Sequence, residues 1–141
     1  MNAMTAIAHF LARRPRILPT AAILASALLA LFYARGGPAW PLGFVALVPW
    51  LLSLEARASL GSALLDAWAM SLAFTLAVFA WFGSAIGTFT HTGDAAGLAI
   101  LLVAAPLFQP QFLAFALVRE VAGRHLGPVL RALAAASAWV A

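Results

Sequence analysis

"LGSALLDAWAMSLAFTLAVFAWF", residues 60–82, decides the fold. It carries one formal charge, Asp66, and is otherwise apolar on every face. At 1.5 Å rise per residue, a helix of this length crosses the ~30 Å hydrocarbon core of a bilayer. A transmembrane barrel strand would alternate apolar and polar at period two, and no such alternation is present. Backbone groups in lipid must pair within their own segment, so the run reads as a transmembrane helix.

The rest of the chain repeats the pattern. Apolar runs occupy 17–33, 39–54, 60–82 and 95–118, and a shorter one begins at Pro128. The last spans 128–141, too short to cross fully as a helix. The two shorter early runs lean on the interfacial rings of Tyr33, Trp40 and Trp50. Across 141 residues, 65% are hydrophobic and only 9% charged, with a mean hydropathy of +1.03. A soluble domain carries about a quarter charged residues. The expected class is all-α, a polytopic transmembrane bundle with four full spans and the start of a fifth.

The basic residues are eight Arg and no Lys, against two Asp and two Glu. They are scattered rather than interleaved with aromatics, which argues against nucleic-acid binding. With Cys absent, there is no disulfide, no thiolate metal site and no Cys nucleophile within these residues. Arginine placement predicts orientation. If 1–16 is a cytoplasmic segment, Arg13, Arg14, Arg16, Arg57, Arg119, Arg124 and Arg131 lie inside and only Arg35 outside. A competing reading makes "RRPRILPTAAILASALLA" a cleaved signal peptide. It is the weaker one, because three further spans follow and no soluble domain does.

Four groups are candidates for chemistry. Asp66 is the one ionisable residue well inside a span; it reads as an interfacial carboxylate paired with Arg57, or alternatively as part of an ion relay. His91 and Asp94, three apart, could orient a base or bind a metal, but no third ligand is near, and Thr88, Thr90 and Thr92 lack an activating partner. The same stretch also reads as a turn, with Asp94 capping the next helix. Ala69, Ala73 and Ala77, with Ser71 and Thr75 in a parallel row, form a small-residue stripe suited to helix packing. Pro106 and Pro110 bracket Gln109, followed by Gln111; these bend the fourth span or open a polar cavity in it. No metal or cofactor is expected.

Residues 40–54, "WPLGFVALVPWLLSL", resemble the second-helix signature of the apolipoprotein N-acyltransferases, departing within it only at Gly43. The family follows its third span with a Trp, a hydroxyl-bearing stretch and a Phe-Gly-Gly loop. Trp81, Ser84 and Phe89 fall at those places, and "THTG" stands for the double glycine with only Gly93 matching. Ala67, Ser71, Ala73 and Ala77 stand where relatives often have Gly. "RALAAASAWVA" resembles the start of the family's fifth helix, without the Glu and Arg into which that helix continues. The resemblance runs from about Ile17 onward.

It implies the following. The family has eight spans and a periplasmic nitrilase-like domain carrying a catalytic Glu, Lys and Cys. Through a thioester, it moves an acyl chain from phospholipid to the N-terminal diacylglyceryl-cysteine of lipoproteins. No catalytic residue transfers to this chain, which is therefore expected to be an inactive part of such an enzyme, a fragment or a truncated product. Its partners would be the phospholipid donor, the diacylated lipoprotein acceptor and membrane lipids, and its place the bacterial inner membrane. Trp81, Ser84, Phe89 and Gly93 are expected to form a rim for lipid access. The competing readings are a small transporter or channel subunit using Asp66, Gln109 and Gln111, and a structural membrane protein.

Overall fold

A computed structural model describes residues 17–140 apart from 56 and 58. The segment 1–16, with Arg13, Arg14 and Arg16, lies outside the described residues.

Among the described residues the chain is all helix and turn. The elements are α1 (Ile17–Ala34), a 3-10 helix (Gly37–Phe44), α2 (Val48–Glu55), α3 (Leu60–Phe89), α4 (Asp94–Phe108), α5 (Pro110–Gly123) and α6 (Pro128–Val140). Four stretches among them are long and apolar enough to cross a membrane: Ile17–Ala34, Gly37–Glu55, Leu60–Phe89 and Asp94–Gly123. The molecule is an all-α membrane bundle.

Each chain reversal has a local cause. Gly36 and Gly37 both take positive φ, 73° and 64°, which lets the chain turn tightly before Pro38 starts the 3-10 helix. The second crossing is not one helix. Pro41 sits inside the 3-10 segment, and the α-helix begins only at Val48. The break leaves first-turn N–H groups of α2 without helical acceptors. One is satisfied across the bundle, where Trp50 N–H donates to Ser26 Oγ of α1 at 3.0 Å. Gly43, where the sequence departs from the family signature, abuts Tyr33. A Cβ built there would lie 2.7 Å from that ring, so the tyrosine occupies the space a larger residue would need.

α3 is the central post. It packs most extensively on α4 and also on α1 and α5, while α5 packs on α6. Its buried face, Ala63, Asp66, Ala67, Met70, Ser71 and Thr75, recurs at helical spacing. Ser59 caps its N-terminus, its side chain accepting from Ser62 N–H. The core gathers around two rings that are fully buried, Trp50 and Phe112. Phe112 meets Trp50 edge-on at 5.4 Å and Trp139 edge-on at 5.1 Å, with Phe74 at 5.4 Å. Such rings add directional contact where lipid leaves no hydrophobic force between helices.

One expectation needs correcting here, and one is sharpened. α3 was expected to end near residue 82 and give way to a loop. It continues as helix to Phe89, so most of the polar stretch is its last two turns. The fourth crossing, Asp94–Gly123, breaks into two helices where its prolines predict a bend. Gln109, with φ −124° and ψ 50°, separates α4 from α5. Pro110 cannot donate to the carbonyl four residues back, which is why the helix restarts there with a proline in its first turn.

Candidate functional site

The end of the bundle where α3 turns into α4 carries the residues singled out for lipid access. Trp81, Ser84 and Phe89 all lie on the last turns of α3, and Gly93 is the N-cap of α4. Trp81 is 67% exposed and Phe89 87% exposed, and the Trp81 and Phe82 rings meet edge-on at 5.6 Å. At 3.6 residues per turn, Trp81 and Ser84 lie within about 60° of each other on the helix. Phe89 lies about 140° from Ser84, on the other side of Trp81. The structure therefore gathers the four at one end of the molecule but not on one face.

What holds this end together is bare backbone. A Cβ at Gly97 of α4 would sit 2.1 Å from the Gly83 carbonyl oxygen and 2.4 Å from the Gly87 nitrogen of α3. A Cβ at Gly87 would sit 2.4 Å from the Gly93 carbonyl oxygen. Glycines four apart on each helix, 83 and 87 against 93 and 97, let the two backbones touch. The sequence reading placed close approach at Ala69, Ala73 and Ala77. Ala69 and Ala73 do pack against the core, but the closest approach is at the glycines. The signal for this contact is the repeated Gly-x-x-x-Gly spacing, which means packing only because α3 continues as helix past residue 82.

The polar turn itself is a helix terminator. Thr92 N–H donates to Gly87 O at 3.1 Å and His91 N–H to Thr88 O at 3.3 Å, the paired bonds of a Schellman ending. His91 occupies the left-handed position, φ 56°, that usually belongs to glycine. Thr90 Oγ1 donates to Ile86 O at 2.8 Å, and its hydroxyl shares a hydrogen with Thr92 Oγ1 at 2.7 Å. These bonds account for the Thr90 and Thr92 hydroxyls without a reacting partner. Asp94 does not cap α4 with its side chain. Gly93 is the N-cap, and Asp94 stands in the first turn, where the helix dipole favours a carboxylate. No hydrogen bond joins His91 to Asp94, and no group of three metal-binding side chains occurs among the described residues.

Below the glycine contact lies a cavity of about 250 Å³ lined by Thr75, Phe79, Phe82, Leu101, Phe108 and Gln109. Thr75 is buried, and its hydroxyl has no hydrogen-bond partner. The Gln109 carboxamide oxygen accepts from Gln111 Nε2. The prolines thus open a polar point in the fourth crossing. Asp66 does not belong to it. Its carboxylate is held by the Arg57 guanidinium in a two-pronged pair, Nε to Oδ2 at 2.5 Å and Nη2 to Oδ1 at 2.6 Å. The three groups an ion pathway would use are therefore divided between two places.

At the opposite end, Glu55 joins three helices. Arg119 Nη2 reaches Glu55 Oε1 at 2.6 Å, and Arg131 Nη2 reaches Oε2 at 3.4 Å. Arg119 Nη1 also donates to the Leu54 carbonyl at 3.2 Å, near the C-terminus of α2. Arg57, Arg119, Arg124 and Arg131 thus lie at one end of the bundle, and Arg35, stacked 5.8 Å from the Phe32 ring, at the other.

These features define a polytopic α-helical membrane domain, one end of which is closed by glycine contact and the other cross-linked by charge. Residues 25–141 match the family model described as the apolipoprotein N-acyltransferase N-terminal domain. The chain belongs to that family. No curated protein and no solved structure matches it.

Proposed function

We propose that this chain is the membrane-embedded N-terminal part of an apolipoprotein N-acyltransferase. In that enzyme an acyl chain passes from a phospholipid to the N-terminal diacylglyceryl-cysteine of a lipoprotein. The observation that carries this reading is the family match over residues 25–141. Without Cys or Lys, these residues cannot supply a thioester nucleophile or an ammonium. Their part is to hold and orient lipid substrates for groups carried elsewhere.

The exposed rings at the outer end of α3 suit that role. α3 has 30 residues and is about 45 Å long, enough to cross the hydrocarbon and both headgroup layers. Its inner end is anchored at the interface by the Arg57–Asp66 pair; measured from there along the axis, Phe89 lies about 35 Å away and reaches the outer headgroup zone, while Trp81, about 22 Å away, lies beneath it among the acyl chains. In the headgroup zone, amphipathic and aromatic rings are favoured and can flank the path of an acyl chain. The arginine distribution supports a cytoplasmic N-terminus and an inner-membrane location, with the α3–α4 turn on the periplasmic side.

Trp81→Ala and Phe89→Ala, made together in a full-length relative, test the rim. Acyl transfer to a diacylated lipoprotein should fall at least tenfold with protein level unchanged. Full activity would remove the rim from the mechanism. The absence of native Cys makes orientation directly readable. Cysteines placed at Ser84 and Thr92 should label with an impermeant maleimide from the periplasm, and one at His125 should not.

A further inference from the structure

A groove runs along the side of the bundle away from the rim. α2 lines one side of it, and α5 and α6, packed on each other, line the other. Two hollows share the Leu51 and Phe115 side chains, one of about 190 Å³ toward Arg119 and Arg131 and one of about 290 Å³ toward Phe44 and Trp139. The walls are apolar along the whole length. The single polar region is the mouth, where two guanidiniums meet one carboxylate.

That mouth is not saturated. Arg119 is spent on Glu55 and on the Leu54 carbonyl, and its side chain is only 10% exposed. Arg131 is different. It makes one long contact, 3.4 Å to Glu55, through Nη2, and its side chain is 33% exposed. A guanidinium carries five N–H donors in a fork that matches two oxygens of a phosphate. The remaining donors of Arg131 meet no acceptor among the described residues. Its aliphatic stem is seated against Gly123, where a Cβ would come within 3.2 Å of the arginine Cδ. The charge is therefore held at the mouth rather than swept into water.

Size selects the kind of occupant. An acyl chain fits, since each methylene takes on the order of 30 Å³, about a water's share of liquid volume. Charge then selects the headgroup: two arginines against one Glu55 leave the mouth positive.

We propose that this groove holds one anionic phospholipid from the leaflet at the arginine-bearing end. The phosphate is forked by Arg131, and one acyl chain runs past Leu51 and Phe115 toward Trp139. This site is separate from the access rim and does not depend on the acyl-transfer reading. A lipid seated there would wedge α2 and α6 against α5 and couple the stability of the bundle to membrane charge.

Native mass spectrometry of the protein released from nanodiscs containing equal phosphatidylglycerol and phosphatidylcholine tests the site. One phosphatidylglycerol per chain should be retained in preference to phosphatidylcholine. Arg131→Gln should cut that retention about fivefold, the effect of one arginine near an anionic surface. Arg131→Lys, which keeps the charge but not the fork, should fall between the wild type and Arg131→Gln, and Arg35→Gln, at the other end, should leave retention unchanged. Ala132→Phe, which fills the groove and keeps the charge, should abolish retention. Equal retention of the two lipids, or an Arg131→Gln variant indistinguishable from Arg35→Gln, would overturn the proposal. Should Arg131→Gln fail to accumulate, quenching decides in the wild-type protein. Brominated phosphatidylglycerol must quench the fluorescence lost in Trp139→Phe, and absence of that quenching sinks the site.

Discussion

The two ends of the bundle are fastened by opposite means. At the arginine-bearing end, long side chains reach between helices: Glu55 of α2 is shared by Arg119 of α5 and Arg131 of α6, and Arg57 forks Asp66 of α3. At the other end, α3 and α4 meet through four glycines, and at Gly87 and Gly97 backbone lies directly against backbone. The sequence explains the division. Arg35 and Asp94 are the only formal charges at that end among the described residues, so no ion-pair clamp is built there. With lipid as solvent there is no hydrophobic force to draw helices together either. What remains is close packing, and removing Cβ atoms is the way to gain it. Charge clamps tolerate slack, because a guanidinium can rotate to follow its partner. A backbone contact does not.

That contrast can be broken most severely at Gly97. Gly97→Val would force a branched side chain into the Gly83 carbonyl and the Gly87 backbone. Neither is the movable end of a side chain, so α4 must shift away from α3. Overpacking of this kind costs up to about 3 kcal/mol. Unfolding in mixed micelles should show a loss of that order, whereas Gly61→Val, at a position with no atom near a built Cβ, should show little.

The charged end should be more forgiving. Asp66→Asn keeps the shape but leaves Arg57 half-buried and without its counter-charge. The expected loss is about 2 kcal/mol, within the range for orphaning a partly buried polar group. Pairing the change with Arg57→Gln should recover part of it, because the double variant has no uncompensated ion. A double variant as unstable as the sum of the singles would mean that the pair does not act as a unit. For an ion relay, by contrast, Asp66→Asn should abolish proton or cation flux; the closed Arg57 fork leads us to expect no flux in the first place.

How much of this was legible beforehand follows the same division. Composition and run length carry the all-α membrane class, because the need to pair backbone groups in lipid leaves helices as the answer. The Pro106–Gln109–Pro110 grouping marks the break between α4 and α5, since proline's missing donor acts locally. The Arg57–Asp66 pair was also within reach, both lying near one helix start. The glycine contact was not read. "GSAIG" and "GDAAG" look like loop when each segment is taken alone, and they signify packing only once two helices are known to face each other. The Thr75 cavity and the Glu55 junction depend on the rotational phase of one helix against the next, which no single segment encodes.

The smallest effect separates chemistry from architecture in the polar turn. His91 sits at φ 56°, a conformation that costs an L-residue about 1–2 kcal/mol and glycine almost nothing. Glycine in turn gives up roughly 0.5–1 kcal/mol through the greater freedom of its unfolded chain. His91→Gly should therefore stabilise by about 0.5 kcal/mol. His91→Val should destabilise, since a branched Cβ is least compatible with that backbone. A base or metal ligand would behave otherwise: removing the imidazole would lower acyl transfer in the full-length enzyme whatever it did to stability. Because His91 N–H is spent on the Schellman ending and its ring makes no bond to Asp94, we expect His91→Gly to be fully active and slightly harder to unfold. Loss of activity without loss of stability would return the turn to the list of reacting groups.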